Sequence, residues 1–228
     1  MTRIPLLSIA AVAIAGAIGL WLAQPGETVL PSGESGAVPA PFAAHAQDAA
    51  EIDTSSIVEM AIGADDAPVE IIEYASFTCP HCRTFHKTVF QQLKSDYVDT
   101  GKVRFIHREV YFDRFGLWAG MVARCGGQDR YFGIVDIVYE EQSSWTQGQP
   151  TDVVEALRRI GRTAGLTNDE LDACLSDGDK AQALVAWYQQ NAEADGVNST
   201  PTFVIDGRTY RNMPYEDFVE IIDGKLGG

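Results

Sequence analysis

The stretch Cys79-Pro80-His81-Cys82 constrains this chain most, because it places two thiols one helical turn apart where a strand gives way to a helix. The preceding run, residues 69–76, is β-branched and largely apolar, as in a strand buried on both faces. Apolar residues then recur at spacings of three and four, which predicts one helix from Pro80 to about Gly101. Proline is favoured in the first helical turn, so Cys79 is expected at or next to the N-cap.

This position of Cys79 favours redox chemistry. Unpaired backbone N–H groups and the positive end of the helix dipole stabilise a thiolate, so the pKa of Cys79 should be lowered. Because the thiolate is both the attacking species and the better leaving group, a disulfide between Cys79 and Cys82 should be oxidising. His81 can add positive charge or a hydrogen-bond donor beside the sulfur. Cys82, one turn inside the helix, suits the resolving role.

A metal site is the alternative from a different class. The motif extends to C-x-x-C-x-x-x-H with His86, which could hold copper or zinc together with the two thiols. A structural zinc ion needs four ligands and usually a second cysteine pair, and the sequence has no second C-x-x-C. The simpler interpretation of His86 is a residue on the face of the helix beside the motif. We find no phosphate-binding glycine loop, and the sequence implies no metal, nucleotide or flavin cofactor.

The first residues resemble an export signal. A basic start at Arg3 is followed by an apolar run, residues 4–23, that is long enough to span a bilayer core of about 30 Å. The sequence therefore predicts a signal peptide or an uncleaved signal anchor over residues 1–23, with Arg3 in the cytoplasm if the segment is an anchor. In either case the cysteine-bearing part leaves the cytosol.

Composition changes after residue 23. Residues 24–56 are rich in Pro, Gly and Ala and have little periodicity, which predicts a flexible tether. Residues 57–228 then suit one globular domain with a sizeable core. The formal net charge of −15 argues against nucleic acid or an anionic membrane surface as a partner.

The order of predicted elements in that domain is typical of an α/β fold. Residues 57–62 and 102–110 are predicted strands before and after the motif segment. The strand over residues 69–76, the helix that follows it and the strand over residues 102–110 form a β-α-β unit, which implies that these two strands pair in parallel with a right-handed crossover. His107 is then interpreted as a strand residue rather than a ligand. Residues 115–195 are predicted to be an all-helical insertion that includes a capping box at Thr167. A β-hairpin over residues 201–210 and a helix over residues 214–226 complete the plan.

These residues resemble the DsbA family of exported thiol–disulfide oxidoreductases, which have a thioredoxin fold. The resemblance extends from about Val58 to the C-terminus and is carried by residues 77–82, by the helical insertion and by residues 197–203. It implies a cis bond at Pro201, which would lie against the active-site cysteines, and a substrate-contacting role for Thr200. It also implies that Glu73 is the buried acid beneath the disulfide that assists proton transfer. A buried, unpaired carboxylate has a raised pKa.

Thr200 leaves the direction of the reaction open. The family's oxidases commonly have valine before the cis-proline, whereas threonine is similar to the isomerase branch. Isomerases also bring an N-terminal dimerisation domain, and residues 24–56 are too poor in apolar residues to form one.

Cys125 and Cys174 form the second cysteine pair. Because the spacing of Cys79 and Cys82 commits those two to each other, Cys125 is expected to bond to Cys174. Similar bridges occur in α-proteobacterial members of the family, and this bridge would clamp the helical insertion.

The resemblance implies a periplasmic, monomeric enzyme that introduces disulfide bonds into unfolded exported proteins. A membrane DsbB-type quinone reductase would then reoxidise it.

Overall fold

The strand that leads into the motif is the centre of a five-stranded mixed sheet. The structure, a computed structural model, describes residues 52–227. The strands are β1 (Met60–Ile62), β2 (Val69–Ala75), β3 (Val103–Glu109), β4 (Thr202–Ile205) and β5 (Arg208–Arg211). Their order in the sheet is β1-β3-β2-β4-β5; β2 and β3 are parallel, as predicted, and the other neighbouring pairs are antiparallel.

Helices cover the sheet and form the insertion between β3 and β4. In chain order they are α1 (Pro80–Lys87), α2 (Val89–Leu93), α3 (Arg114–Cys125), α4 (Gly127–Glu140), α5 (Gln142–Trp145), α6 (Pro150–Thr163), α7 (Asn168–Ser176), α8 (Gly178–Ala194) and α9 (Tyr215–Leu226). A π-helical turn, Lys94–Val98, follows α2. The predicted thioredoxin-like plan with an all-helical insertion is confirmed, and the insertion comprises α3 to α8.

The predicted continuous helix from Pro80 to Gly101 is wrong, because the chain breaks at Thr88. The backbone of Thr88 leaves the helical region (φ −125°, ψ −77°), and its N–H donates to the carbonyl of Phe85, three residues back. Instead, the Thr88 hydroxyl donates a hydrogen bond to the carbonyl of Thr84, at 2.7 Å. A threonine hydroxyl that bonds the carbonyl four residues back competes with the helical hydrogen bond and bends the helix.

The first strand is shorter than the predicted residues 57–62. Ile57 is buried against Leu184 and Trp187 of α8, while the side chain of Val58 is half exposed. Ile57 thus packs on the helix and Val58 faces solvent, and neither pairs with a strand, so that β1 begins only at Met60.

Two features fix the insertion. The capping box at Thr167 is confirmed, since Thr167 Oγ1 accepts from the Glu170 N–H and the Glu170 carboxylate accepts from the Thr167 N–H. A disulfide joins Cys125, the last residue of α3, to Cys174 on α7, with the two Cα atoms 5.9 Å apart. It therefore ties together two helices of the insertion.

The predicted signal segment, residues 1–23, and most of the predicted tether lie outside the described residues. The described end of that tether, residues 52–56, forms a turn and neither helix nor strand. Within the part of the chain that the structure describes, no helix is both long enough and apolar enough to cross a membrane.

Candidate active site

The backbone holds Cys79 at the start of α1. Strand β2 ends at Ala75, and the Cys79 N–H donates to the Ser76 carbonyl at 3.1 Å, which closes a tight turn into the helix. Cys79 is the N-cap residue, with an extended backbone (φ −83°, ψ 120°), and Pro80 occupies the first helical turn. The helix thus begins where the sequence predicts, and its free N–H groups point towards Cys79.

The two thiols of the motif, both unbonded here, differ in environment. Cys82 is completely buried, whereas Cys79 is partly exposed. The pKa of Cys79 is lowered to about 5, chiefly by a hydrogen bond from Cys82. Burial opposes this shift, whereas Thr200 and the backbone N–H groups of Cys82 and His81 add to it. Burial raises the pKa of Cys82 far above its ordinary value. At neutral pH the pair therefore consists of one thiolate at the surface and one thiol in the core.

His81 is exposed and contributes to this stabilisation through its backbone N–H. Pro80 is exposed beside it. Both lie on the surface of the helix turn that also presents Cys79.

The Thr200–Pro201 peptide bond is cis. It immediately precedes β4, whose antiparallel pairing with β2 brings it to the end of the sheet where α1 begins. The Sγ atom of Cys79 lies 3.5 Å from the Thr200 carbonyl oxygen. Thr200, distant in sequence from the motif, thus lies against its partly exposed cysteine, and Pro201 follows it directly.

Gln142 secures the other side of the motif. Its Nε2 atom donates to the Phe77 carbonyl at 2.7 Å and to the Cys79 carbonyl at 3.0 Å, so that α5 holds the loop between β2 and α1. Gln142 is not predictable from the sequence, because one glutamine within a helical block carries no local signal for a contact 63 residues away.

Beneath the thiols lies a buried acid–histidine cluster made of Glu73, His86 and His107. Glu73 Oε2 lies 2.7 Å from His86 Nε2, and His107 Nδ1 lies 2.7 Å from the Tyr131 hydroxyl. The parallel register places Glu73 directly opposite His107. All three side chains are buried. The predicted burial of Glu73 and the predicted strand position of His107 are confirmed, but the sequence did not indicate that both histidines lie beside Glu73.

The interior keeps this cluster uncharged at neutral pH. Burial raises the pKa of Glu73 to about 8, lowers that of His86 to about 3 and lowers that of His107 to about 4. Glu73 also helps to raise the pKa of Cys82, and the charge of Cys79 helps to raise the pKa of Glu73. The titration of Glu73 is therefore electrostatically coupled to that of both cysteines.

The cluster bears on the metal-site alternative. One ligand atom from each of Glu73, His86 and His107 lies within 4.8 Å of the others, so this group could hold an ion. Among residues 52–227 no other group of three or more potential ligands has such geometry, and this group contains neither motif cysteine. His86 hydrogen-bonds to Glu73, which differs from the C-x-x-C-x-x-x-H arrangement considered from the sequence.

Comparisons with known proteins agree with this geometry. The thioredoxin family model matches residues 55–224. A putative protein-disulfide oxidoreductase from Rickettsia bellii is 32% identical over 166 residues, which are 72% of this chain and 63% of that protein. A probable disulfide bond formation protein D from Bacillus anthracis is 30% identical over 164 residues, with coverages of 64% and 73%. The matched region thus spans less than two thirds of the Rickettsia relative.

Two solved structures have the same fold. The crystal structure of Wolbachia pipientis alpha-DsbA1 superposes with a TM-score of 0.68 at 29% identity, covering 74% of this chain and 91% of that one. Oxidised BdbD from Bacillus subtilis superposes with a TM-score of 0.66 at 21% identity, covering 75% and 94%, and supports the fold alone. With a family match over most of its length and these relatives, the chain belongs to the DsbA family of thioredoxin-fold proteins.

Proposed function

We propose that this chain is a thiol–disulfide oxidoreductase that introduces disulfide bonds into exported proteins through Cys79 and Cys82. The observation that carries the proposal is the asymmetry of the pair. A partly exposed Cys79 has its pKa lowered to about 5, and a buried Cys82 has its pKa raised. A stable Cys79 thiolate favours the dithiol form, which makes the disulfide a strong oxidant.

The reaction begins with the oxidised pair. A substrate thiolate attacks Cys79 Sγ, the bond between the two cysteine sulfurs breaks, and its electron pair goes to Cys82, which takes up a proton. A second substrate thiolate then attacks the substrate sulfur of the mixed disulfide and displaces Cys79 as a thiolate. The substrate gains a disulfide, and the chain leaves with two additional electrons.

Several other residues support this sequence of steps. Thr200 lies against Cys79 and is joined to Pro201 by a cis bond, where an extended substrate segment could be held. Glu73 is a protonated acid near Cys82 and can supply the proton that the leaving thiolate requires. Cys125 and Cys174 hold the insertion together and take no part in the exchange.

The partners and location follow from the family. We infer that the substrates are unfolded exported proteins with free thiols, that a membrane DsbB-type quinone reductase restores the disulfide, and that the enzyme acts as a periplasmic monomer. Detection of the chain in the periplasmic or membrane fraction of cells, rather than in the cytosol, would support this location.

A second direction of reaction is favoured by one residue. Thr200 before the cis-proline is similar to the isomerase branch, and an isomerase or reductase would use the same pair in its reduced form. Redox equilibrium with glutathione distinguishes the two directions. A potential well above that of thioredoxin, about −270 mV, supports a disulfide donor, whereas a value near thioredoxin's supports a reductase or isomerase.

The activity itself is tested with a reduced, unfolded protein that regains function only when its disulfides form. Wild-type chain in the oxidised form should accelerate this recovery, and Cys79→Ala should abolish the acceleration. Cys82→Ala should instead trap a mixed disulfide between Cys79 and the substrate. Retention of oxidase activity by Cys79→Ala would contradict the proposal.

A further inference from the structure

The hydrogen bond between Glu73 and His86 leads away from the thiols. His86 is buried on α1, and its ring stacks on Tyr139 with the ring centres 4.3 Å apart. Its Nε2 atom is bonded to Glu73, while its Nδ1 atom has no hydrogen-bond partner among the described residues. A buried imidazole nitrogen without a partner is costly and calls for an explanation.

A surface pocket lies next to this ring. It has a volume of about 550 Å³ and is lined by residues of α1, α2, α4 and α6, among them His86 and Asp136. Asp136 is exposed, and its charge acts on His86. The buried ring therefore lies between the acid beneath the thiols and an open depression of the surface.

The charged and titratable groups around His86 suit proton movement. On the inner side are Glu73, His107 and the Tyr139 hydroxyl. On the outer side Lys87 pairs with Glu140 at 2.6 Å, which leaves Asp136 as the acid whose charge acts on the ring. A neutral imidazole can accept a proton at one nitrogen while it releases the proton at the other.

We propose that His86 passes protons between Glu73 and the surface pocket beside Asp136, as a positioning residue that acts on Cys82 only through Glu73. The proposal rests on the redox role of Cys82 given above. When the disulfide is reduced, the leaving Cys82 thiolate takes a proton from Glu73. His86 then gives its Nε2 proton to Glu73 while its Nδ1 atom accepts a proton from the buffered solvent at the pocket, so that the ring stays neutral. Reoxidation runs the same transfers in reverse.

The path explains why protons need not pass through the substrate-binding face. During exchange, a bound substrate covers Cys79, so that solvent has little access to Cys82 from that side. The pocket lies beyond Glu73 and His86 and does not include Cys79, Thr200 or Pro201 among its lining residues. Proton uptake and substrate binding can thus occur at separate surfaces.

The test follows one reduction of the oxidised full-length chain by excess dithiothreitol, stopped by rapid alkylation, between pH 5 and pH 9. Rates are expressed per dithiothreitol thiolate and measured in H2O and in D2O. His86→Gln retains a polar partner for Glu73 but cannot relay a proton, and His86→Ala opens a space that added imidazole can enter from the pocket. Asp136→Asn alters the pocket, and Asp129→Asn on the same helix is its matched control.

The proposal predicts that His86→Gln slows reduction by about tenfold or more, as expected for loss of a proton-transfer group, and acquires a solvent isotope effect that the wild type lacks. Imidazole should restore the rate of His86→Ala in a saturable manner and leave the wild type unchanged. Asp136→Asn should slow the step more than Asp129→Asn. If His86→Ala fails to fold, the isotope effect of His86→Gln decides.

Three results would overturn the proposal. The first is that both His86 variants are reduced as fast as the wild type and show no solvent isotope effect. The second is a loss of rate that imidazole does not restore and that is equal in H2O and D2O, since this marks a structural role. The third is a stoichiometric metal ion in the purified chain that disappears in His107→Gln. Dithiothreitol replaces the protein substrate in this test, so the relay is measured independently of the proposed function. A chain that exchanges normally with dithiothreitol but fails to oxidise proteins would contradict the proposed function and would still give an interpretable relay result.

Discussion

Replacement of Glu73 by glutamine should make the chain more stable, and increasingly so as pH rises. Burial raises the pKa of Glu73 to about 8 in the folded chain, against an ordinary value of 4.5. Between these two values the unfolded chain releases the proton while the folded chain retains it. The stability that Glu73 provides is therefore fully present below pH 4.5 and is lost as pH rises towards 8.

The magnitude follows from the size of the shift. Each pKa unit corresponds to about 1.4 kcal/mol, so ionisation of Glu73 in the unfolded state costs the wild type roughly 3 kcal/mol of unfolding free energy at pH 7. Glutamine resembles the protonated acid in shape and does not ionise. Glu73→Gln should match the wild type near pH 4 and exceed it by about 3 kcal/mol at pH 7, with little further change above pH 8.

Urea unfolding of both proteins in the dithiol form, at half-unit steps from pH 4 to pH 8.5, measures this difference. In the folded chain the pKa values of His86 and His107 are about 3 and about 4, so above about pH 5 both rings are neutral in either protein and contribute alike to the comparison. Glu70→Gln is the matched control, because Glu70 lies on the same strand and forms a partly exposed ion pair with Arg104, a type worth about 0–1 kcal/mol. Parallel pH profiles for the wild type and Glu73→Gln would refute the reasoning.

Three further predictions concern the thiols and the insertion. Absorbance of the reduced chain at 240 nm should report a thiolate that forms near pH 5 at Cys79, and a midpoint at pH 8 or above would contradict the asymmetry of the pair. Arg124→Met should lower the unfolding free energy by about 3–5 kcal/mol in denaturant, because it leaves Glu109 buried and unpaired, and the added change Glu109→Leu should recover part of the loss. Removal of the bridge in Cys125→Ala/Cys174→Ala should cost about 4 kcal/mol in the loop-entropy description; an unchanged urea midpoint would show that the insertion does not depend on it.

Local signals allowed much of the fold to be predicted. The start of α1 follows from Pro80 after an apolar strand, and the start of α7 follows from the capping box at Thr167, since each depends on groups within four residues. The break at Thr88 was missed, although threonine can bond the carbonyl four residues back. That signal is weak, because apolar periodicity on both sides of Thr88 favours one continuous helix.

The candidate site was predictable only in part, because most of its contacts join distant segments. The sequence correctly placed His107 in a strand, which is β3. What the sequence lacked was the register of β3 against β2, which sets His107 opposite Glu73. Without that register, two histidines and a glutamate are three separate residues, and their cluster cannot be recognised.

The two buried acids of the sheet show how environment separates a structural carboxylate from a reactive one. Glu109 lies 2.5 and 2.7 Å from the nitrogens of Arg124, and this ion pair outweighs burial and holds the pKa of Glu109 below its ordinary value. Glu73 has only neutral partners, so burial prevails and raises its pKa. A carboxylate fixed in an ion pair cannot readily exchange a proton, whereas a protonated acid with a pKa near neutrality can both give and regain one. Glu109 is paired with an arginine and Glu73 with a neutral histidine, so proton exchange is possible at Glu73, the acid whose titration is coupled to the cysteines.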